Sequence, residues 1–146
     1  MLGVSSIRPV IAERSEITAA AIARSHRLQR WQRIAVASAK QCGRAVVPAI
    51  ADPAVLSGYW GEPAGHRVMC VEPSAEASGV LPVQLVPRSS AIELMIGPEG
   101  GWSPSEISAA TGSGAILMSL GGRTLRADAV PIVALTALLT TWGELK

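Results

Sequence analysis

Residues 96–106 read Ile-Gly-Pro-Glu-Gly-Gly-Trp-Ser-Pro-Ser-Glu, and this stretch decides the fold. The apolar run over residues 91–96 predicts a short buried strand, which stops at a loop containing three glycines. Glycine allows positive φ angles and a close approach of the backbone to a ligand. Ser103, Pro104 and Glu106 then have the spacing of an N-cap, a first helical residue and a capping box. The stretch therefore predicts a strand, a ligand loop and a helix in direct succession.

A second strand runs into glycines about one helix later. Residues 115–120 are mainly apolar, and residues 121–128 follow as Gly-Gly-Arg-Thr-Leu-Arg-Ala-Asp. Ligands of open α/β sheets bind beyond the carboxyl ends of the strands, so two such loops on neighbouring strands predict one pocket. A phosphate- or nucleotide-binding domain is the poorest interpretation, because neither GxGxxG nor GxxxxGK[ST] occurs.

The remaining pattern alternates between strands and helices, which predicts a mostly parallel sheet covered on both faces. Residues 15–23 are ambiguous, although their alanine-rich composition favours a helix. We expect residues 51–65 to form a loop or a single turn, and residues 80–90, with two prolines, to be irregular. The other predicted elements are strands over residues 6–12, 45–50 and 67–72 and helices over residues 25–42, 104–111 and 129–142.

The pair GPEGGW, at residues 97–102, and SLGGRTLRAD, at residues 119–128, resembles the signature motifs of the RsmE-type 16S ribosomal RNA uracil methyltransferases. These enzymes belong to the knotted SPOUT superfamily. The resemblance covers nearly all 146 residues and includes Glu-Arg-Ser at residues 13–15. It implies an α/β fold with a mostly parallel sheet, flanked by helices and tied in a trefoil knot. It also implies an extended linker over residues 15–23, as the alternative to a helix there. Nothing in the periodicity of the sequence suggests the knot.

The resemblance also implies a domain boundary. RsmE-type proteins carry an RNA-binding β-barrel domain ahead of the methyltransferase domain, and this chain is expected to begin after it. The first strand and first helix of the methyltransferase domain are expected to precede Leu2. Residues 1–146 are therefore interpreted as one compact SPOUT methyltransferase domain that is truncated at its N-terminus.

The activity implied by the resemblance is transfer of a methyl group from S-adenosylmethionine to ring nitrogen 3 of a uridine in 16S ribosomal RNA, a step of ribosome biogenesis. The cofactor would be held by the backbone of the two glycine loops. Glu72, at a third strand end, is a candidate for the ribose hydroxyls, with a solvated loop carboxylate as the alternative. The residues expected to bind the cofactor are Ile96, Gly97, Glu99, Gly100, Gly101, Ser119, Leu120, Gly121, Leu125 and Arg126.

The uridine nitrogen is a weak nucleophile while it holds its proton, so catalysis requires alignment and stabilisation of negative charge. Arg126 and Arg14 are expected to be catalytic by stabilising the charge on the uracil oxygens. The base that accepts the proton is not identified. Two roles stay open for Glu99: it is either a catalytic group or a residue that shapes its turn.

Neither a metal site nor a membrane partner is expected. Cys42 and Cys70 lie far apart without CxxC spacing, and both are interpreted as buried small apolar residues in a reducing compartment. His26 and His66 match no motif and are interpreted as surface or packing residues. The N-terminus lacks the pattern of a signal peptide, and no apolar stretch is long enough to span a membrane. We therefore expect a cytoplasmic protein.

Charge is distributed unevenly along the chain. Residues 1–44 hold eight basic and two acidic side chains, a net charge of +6, whereas the rest of the chain carries −4. Four arginines recur at every third position and would share one face of a helix: Arg24, Arg27, Arg30 and Arg33. This face could contact phosphates of RNA, with an ordinary solvated helix face as the alternative. The residues predicted to bind RNA are Arg14, Arg30, Arg33 and Arg44.

The last predicted helix, residues 129–142, is apolar on almost all sides, which indicates burial on several faces. The pattern alone leaves a core helix and a subunit interface equally open. The resemblance favours a homodimer, because SPOUT enzymes pair through this helix. Ala129 and Val130 stand where the family usually has Thr-Ala. The missing hydroxyl at the start of this helix is expected either to weaken cofactor binding or to be compensated by a neighbouring group. A catalytically impaired fragment that binds the cofactor and dimerises is therefore the alternative to an active enzyme.

Overall fold

A computed structural model of the chain describes residues 2–60, 66–75, 77–89 and 91–145. The chain divides into two compact units, whereas its length alone predicts one compact domain. Unit 1 comprises Met1–Ile11 and Ser15–Tyr59, and unit 2 comprises Ala12–Arg14 and Trp60–Lys146.

The described part of unit 1 contains short parallel strand pairs. These are β1 (Ser6–Ile7) with β3 (Ala49–Ile50), and β2 (Val10–Ile11) with β4 (Ala54–Val55). The single strand predicted over residues 6–12 is thus interrupted at Arg8 and Pro9. Pro9 lacks the N–H that would continue the ladder. The loop predicted after residue 50 contains β4 and one 3₁₀ turn, Leu56–Gly58, and its part at residues 61–65 lies outside the described residues.

Two consecutive helices of unit 1 follow β2. α1 spans Ala19–Arg24, and α2 spans Arg27–Gln41. The Thr18 hydroxyl caps α1 by accepting a hydrogen bond from the Ala21 N–H at 3.2 Å, which explains why the ambiguous stretch becomes helical here. α2 buries Ala35 and Ala39. The helix predicted over residues 25–42 is therefore confirmed.

Unit 2 is built on a four-stranded parallel sheet of the described residues. Its strands are β5 (His66–Cys70), β6 (Leu81–Pro82), β7 (Ile92–Met95) and β8 (Ile116–Ser119), in the order β6-β8-β5-β7. The prediction that residues 80–90 are irregular is wrong over β6 and the 3₁₀ turn Val83–Leu85. Pro82 is compatible with a strand because β6 lies at the edge of the sheet.

Two helices accompany the sheet: α3 (Pro104–Gly112) and α4 (Val130–Thr141). The sequence prediction of the capping box at the start of α3 is confirmed, with both reciprocal hydrogen bonds present. The core of unit 2 is aliphatic and is formed by Val68, Cys70, Val83, Val86, Met118, Ala134 and Leu138. The mostly parallel sheet flanked by helices is confirmed, and the knot stays a prediction.

Helix α4 is buried on one side only within the chain. Ala134 and Leu138 are 0% and 1% exposed, whereas Ile132 is 64% and Val133 38% exposed. Within a single chain, therefore, only one side of α4 is buried, and burial of a second side in a subunit interface stays a prediction. Within the described ranges, every helix falls short of the length and apolar character needed to cross a bilayer.

Candidate functional site

A cavity of about 530 Å³ lies at the carboxyl ends of three strands of unit 2. Its walls come from the segments that follow β5, β7 and β8, because parallel strands end at the same edge of their sheet. The volume lies within the range of sites that hold small molecules and cofactors. The pocket predicted from the two glycine loops is thus present, and a third strand end contributes to it.

Most of the residues predicted to bind a cofactor line this cavity. They are Ile96, Gly97, Glu99, Gly101, Leu120, Leu125 and Arg126. The cavity wall does not include Gly100, Ser119 or Gly121. Glu72, the candidate at the third strand end, does line it.

Trp102 is a wall residue that the sequence reasoning did not select. It is 9% exposed, and its indole Nε1–H donates to the main-chain carbonyl of Cys70 at 2.8 Å. A Cβ at Gly97 would lie 3.1 Å from Cε2 and Nε1 of this indole. This close approach favours glycine at residue 97, where the loop passes over the ring. The position of Trp102, directly after the loop and before a helix cap, was the available signal.

The turn of this loop brings its backbone close to other side chains. The Gly101 N–H donates to the Pro98 carbonyl at 2.9 Å, and Gly101 has a φ angle of 68°. A Cβ at Gly101 would lie 3.0 Å from Oε1 of Glu72. Positive φ and this close approach together favour glycine at residue 101.

The described structure places Arg14 against the loop and outside the cavity wall. Its Nη1 donates to the Gly100 carbonyl at 2.8 Å, and a Cβ at Gly100 would lie 3.2 Å from Cβ of Arg14. The predicted catalytic pair is therefore divided, with Arg126 in the wall and Arg14 bonded to the loop without lining the cavity. A contact of Arg14 with uracil or RNA stays a prediction.

The second glycine loop contributes an exposed ion pair at the cavity. Nε and Nη2 of Arg126 lie 3.3 and 3.4 Å from the two carboxylate oxygens of Asp128. The two side chains are 87% and 72% exposed, so solvent screens their attraction. Along residues 120–125 the structure describes no hydrogen bond between backbone groups. Backbone polar groups there are available to a ligand or to water.

The wall combines apolar side chains with charges of both signs. Ile96, Leu120 and Leu125 give it apolar surface. The charged side chains of the wall are Glu72, Glu99, Asp128, Arg123 and Arg126. Such a wall suits a ligand that has a planar apolar part and polar groups at its ends.

The cysteines differ from each other in burial. Cys70 lines the cavity, is 8% exposed and has a thiol whose pKa is raised by burial from 9.0 to about 12. This thiol is protonated at neutral pH and therefore unreactive. Cys42 is exposed, so its interpretation as a buried residue is wrong. Both cysteines are free.

The residues predicted to bind RNA in unit 1 occupy different settings. Arg30 and Arg33 are exposed on α2 beside a groove lined by Gln29, Gln32, Arg33, Val36, Ala37 and Lys40. Arg44 donates to the Val4 carbonyl at 2.7 Å. The expectation that four arginines share one helix is wrong, because α1 ends at Arg24 and α2 begins at Arg27.

The two histidines lie at the surface. His26 Nδ1 is 3.3 Å from Oε1 of Gln29, and His66 begins β5 with an exposed side chain. In the part of the chain that the structure describes, no cluster of three or more His, Cys, Asp or Glu side chains could hold a metal ion.

Known proteins resemble this chain in sequence. It is 34% identical over 147 residues to the ribosomal RNA small subunit methyltransferase E of Synechocystis, covering 94% of this chain and 45% of that protein. The protein of the same name from Buchnera aphidicola subsp. Acyrthosiphon pisum is 28% identical, with coverage of 99% and 56%. The chain thus spans about half the length of these curated relatives.

Solved structures resemble it as well. The ribosomal RNA small subunit methyltransferase E of Neisseria gonorrhoeae, bound to S-adenosyl methionine, has a TM-score of 0.82 and 30% identity, covering 97% of this chain and 57% of that one. A Legionella pneumophila protein in complex with the same cofactor has a TM-score of 0.84 and 31% identity, with coverage of 95% and 56%.

These similarities confirm the resemblance to RsmE-type proteins. The profile of the RNA methyltransferase domain matches residues 1–139, which is nearly the whole sequence. The chain therefore belongs to the family of the RNA methyltransferase domain.

Proposed function

We propose that this chain binds S-adenosylmethionine in the cavity of unit 2 and methylates ring nitrogen 3 of a uridine in 16S ribosomal RNA. The observation that carries the proposal is the cavity at the strand ends, which is walled by the two motifs that resemble those of RsmE-type enzymes. The family and the cofactor found in two similar structures support it. With ribosomal RNA as substrate, the proposed place of action is the cytoplasm.

The residues of the wall fit this cofactor chemically. Ile96, Leu120 and Leu125 offer apolar surface to the adenine, and the Glu72 carboxylate can accept hydrogen bonds from ribose hydroxyls. The backbone of the second loop adds donors and acceptors for the adenine edge. When bound, the cofactor supplies a methyl group on a sulfonium centre. Gly100, Gly121 and Ser119, the last residue of β8, stay in the proposal because each adjoins a residue of the wall in sequence.

Arg126 is the residue that we propose to act on the substrate. Its side chain is 87% exposed at the cavity, so it is accessible to an RNA base. A guanidinium at this position can donate hydrogen bonds to the uracil oxygens as the ring loses its proton, and thereby stabilise the negative charge. Its Nε donates to Oδ1 of Asp128 at 3.3 Å in an exposed pair.

The RNA partner is proposed to contact α2. This helix contains no acidic residue, and Arg30 and Arg33 are exposed on it. Phosphate contacts of this kind supply affinity that is independent of sequence and position the RNA. Arg44 is proposed to support this RNA site without contacting RNA itself, because its guanidinium donates a hydrogen bond to a carbonyl of its own unit.

We further propose a homodimer through α4. Ile132 and Val133 form an exposed apolar surface on a helix whose opposite side is core. An apolar surface on a core helix is typical of a subunit interface. The partner would be a second copy of this chain.

The alternative function is a module that binds the cofactor and dimerises without catalysis. The specific observation that favours it is Ala129, the N-cap of α4, which makes no side-chain hydrogen bond to the helix. An N-cap hydroxyl or carboxylate ordinarily accepts such a bond. Without this hydrogen bond, the first turn of α4, which lies beside the second loop, is less stable.

Calorimetric titration of S-adenosylmethionine tests the proposal. The wild-type chain is compared with Leu120→Glu, which puts a charge into the wall, and with Leu85→Glu, whose parent side chain is 62% exposed and outside the wall. We expect binding to wild type and Leu85→Glu and loss of binding in Leu120→Glu. No binding by folded wild-type chain contradicts the proposal. Binding without methyl transfer to a 16S RNA fragment supports the alternative.

A further inference from the structure

Residues 12–14, Ala-Glu-Arg, belong to unit 2, although the chain before and after them belongs to unit 1. Fixing the backbone of a short segment costs conformational entropy, so favourable contacts must hold it. Ala12 is 7% exposed, and Glu13 and Arg14 make hydrogen bonds within unit 2. The partners of these bonds lie in or beside residues 97–102, the loop that walls the cavity.

Arg14 fixes one peptide plane of this loop. Its Nη1 donates to the Gly100 carbonyl at 2.8 Å, and the N–H of the same peptide unit, on Gly101, donates to the Pro98 carbonyl at 2.9 Å. A peptide unit is planar, so bonds to its two ends set its orientation. Arg14 also packs on this point, since a Cβ at Gly100 would lie 3.2 Å from Cβ and 3.7 Å from the carbonyl oxygen of Arg14.

Glu106 fixes the other end of the same loop. Its Oε2 accepts from the Ser103 N–H at 2.8 Å, which is half of the capping box of α3. Its Oε1 accepts from the Glu13 N–H at 2.7 Å. The Ser105 hydroxyl also lies 3.3 Å from Oε2 of Glu13. One carboxylate therefore caps the helix and binds the segment at residues 12–14.

We propose that residues 12–14, which we name the clamp, hold the loop at residues 97–102 in the conformation that binds the cofactor. Arg14 and Glu106 are positioning residues in this arrangement. The inference rests on the proposed function for the identity of the ligand, and it assigns Arg14 a role that the sequence did not predict. A loop that is ordered before binding lowers the entropy cost of binding.

The test compares wild type with Arg14→Ala and Arg14→Lys, and uses Arg88→Ala as the matched control. Arg88 also pairs within unit 2, with Glu144, and lies outside the cavity wall. Amide exchange at Gly101 is measured by NMR without ligand, and the affinity for S-adenosylhomocysteine is measured by calorimetry without RNA. We expect Arg14→Ala to accelerate exchange at Gly101 and to weaken binding roughly five- to tenfold.

Arg14→Lys keeps one positively charged donor, so we expect it to recover part of both effects. Arg88→Ala should match wild type in both measurements. Either wild-type exchange at Gly101 or unchanged affinity in Arg14→Ala would overturn the proposal.

A second pair of variants separates the clamp from the helix cap. Ser103→Ala and Glu106→Ala each remove one bond of the capping box, but only Glu106→Ala also releases the Glu13 N–H. We expect faster exchange at Glu13 and Gly101 in Glu106→Ala than in Ser103→Ala. Equal exchange in both variants would mean that Glu106 acts only as a cap and would overturn its positioning role.

The two measurements also separate this inference from the proposed function. If wild-type chain binds no S-adenosylhomocysteine, the proposed function fails. Exchange at Gly101 in Arg14→Ala then still decides whether the clamp holds the loop, and unchanged exchange overturns the clamp.

Discussion

Trp102 and Cys70 are joined by a hydrogen bond of 2.8 Å from the indole Nε1–H to the main-chain carbonyl, across 32 positions of sequence. The bond is buried, and it connects the segment that follows β7 to the last residue of β5. It therefore fixes two walls of the cavity relative to each other. Loss of a buried hydrogen bond leaves the remaining partner unsatisfied, which costs more than the bond itself contributes.

Trp102→Phe removes this donor and should destabilise the fold by about 1–3 kcal/mol. The matched control is Trp142→Phe, because the Trp142 indole also donates to a carbonyl, that of Val86 at 3.2 Å, but in a partly buried setting. Urea denaturation gives the two free energies of unfolding. We expect the larger loss in Trp102→Phe, and weaker cofactor binding in that variant alone. A larger loss in Trp142→Phe would contradict the importance given to the buried bond.

Gly97→Ala should destabilise the chain by about 1–3 kcal/mol, because the new methyl group would overpack against the Trp102 indole. The ring is buried and hydrogen-bonded, so it has little freedom to move. Gly112→Ala is the control, since a Cβ there meets nothing within 4 Å at the end of α3. Alanine is the better helix former, and this control should stabilise by about 0.5–1 kcal/mol. The packing argument would be refuted if thermal or urea unfolding showed that both substitutions change the free energy of unfolding in the same direction.

The buried thiol of Cys70 should make the stability of the chain depend on alkaline pH. Its pKa is raised from 9.0 to about 12 by burial, so below pH 9.0 the folded and unfolded states both hold the proton. Between pH 9.0 and about 12 the unfolded state loses the proton first, and the free energy of unfolding falls. The slope approaches about 1.4 kcal/mol per pH unit.

Comparison with Cys70→Ala isolates this contribution, because all other groups titrate equally in both proteins. Denaturant unfolding of both proteins is measured between pH 8 and 10.5, roughly the window set by the raised pKa. The free energy of unfolding of wild type should fall progressively relative to that of Cys70→Ala as the pH rises. A difference independent of pH would show that the Cys70 thiol does not titrate as burial requires.

At neutral pH, a thiol reagent should modify Cys42, which is exposed, and leave Cys70 unmodified in the folded chain.

Arg30→Ala with Arg33→Ala should weaken RNA binding and reduce its dependence on salt. Loss of two phosphate contacts lowers the slope of log K against log salt by about 1.5. Filter binding or fluorescence anisotropy at several salt concentrations measures the slope. Arg88→Ala, which removes a charge from the surface of unit 2, is the control and should leave the slope unchanged. An unaltered slope in the double variant would favour the solvated helix face.

Ile132→Asp should dissociate the proposed dimer, because it buries a charge without a partner in an apolar interface. The control is Ile34→Asp, since Ile34 is 51% exposed in unit 1 and Ile132 64% exposed in unit 2. Sedimentation analysis should show a dimer for wild type and Ile34→Asp, and a dissociation constant raised roughly 30-fold or more in Ile132→Asp. A wild-type chain that sediments as a monomer at all concentrations would contradict the interface.

Local signals in the sequence predicted the parts of the structure that depend on near neighbours. The capping box of α3 joins Ser103 and Glu106, which are three residues apart, and the sequence therefore contained both partners of each hydrogen bond. The glycines at residues 97, 100 and 101 marked the loop in the same local way, because they lie within the loop itself. The predicted cavity followed from the geometry that all parallel sheets share.

Features that depend on distant partners were not predictable in this way. Arg14 was selected for its charge, but its hydrogen bond to Gly100 depends on a fold that brings together positions 86 residues apart. The break between α1 and α2 at Ser25 and His26 contains neither glycine nor proline, so no local signal marked it. The exposure of Ile132 depends on which elements cover α4, and its pattern of residues is equally compatible with a core.

The close approach between Gly100 and Arg14 has an evolutionary consequence. A Cβ at residue 100 would lie 3.2 Å from Cβ of Arg14, an atom that every residue other than glycine would keep at position 14. A residue larger than glycine at position 100 is therefore expected only together with a shift of the segment at residues 12–14. Any lineage that abandons this glycine should also show a rearranged segment near the start of the sequence, far away along the chain but adjacent in the folded molecule.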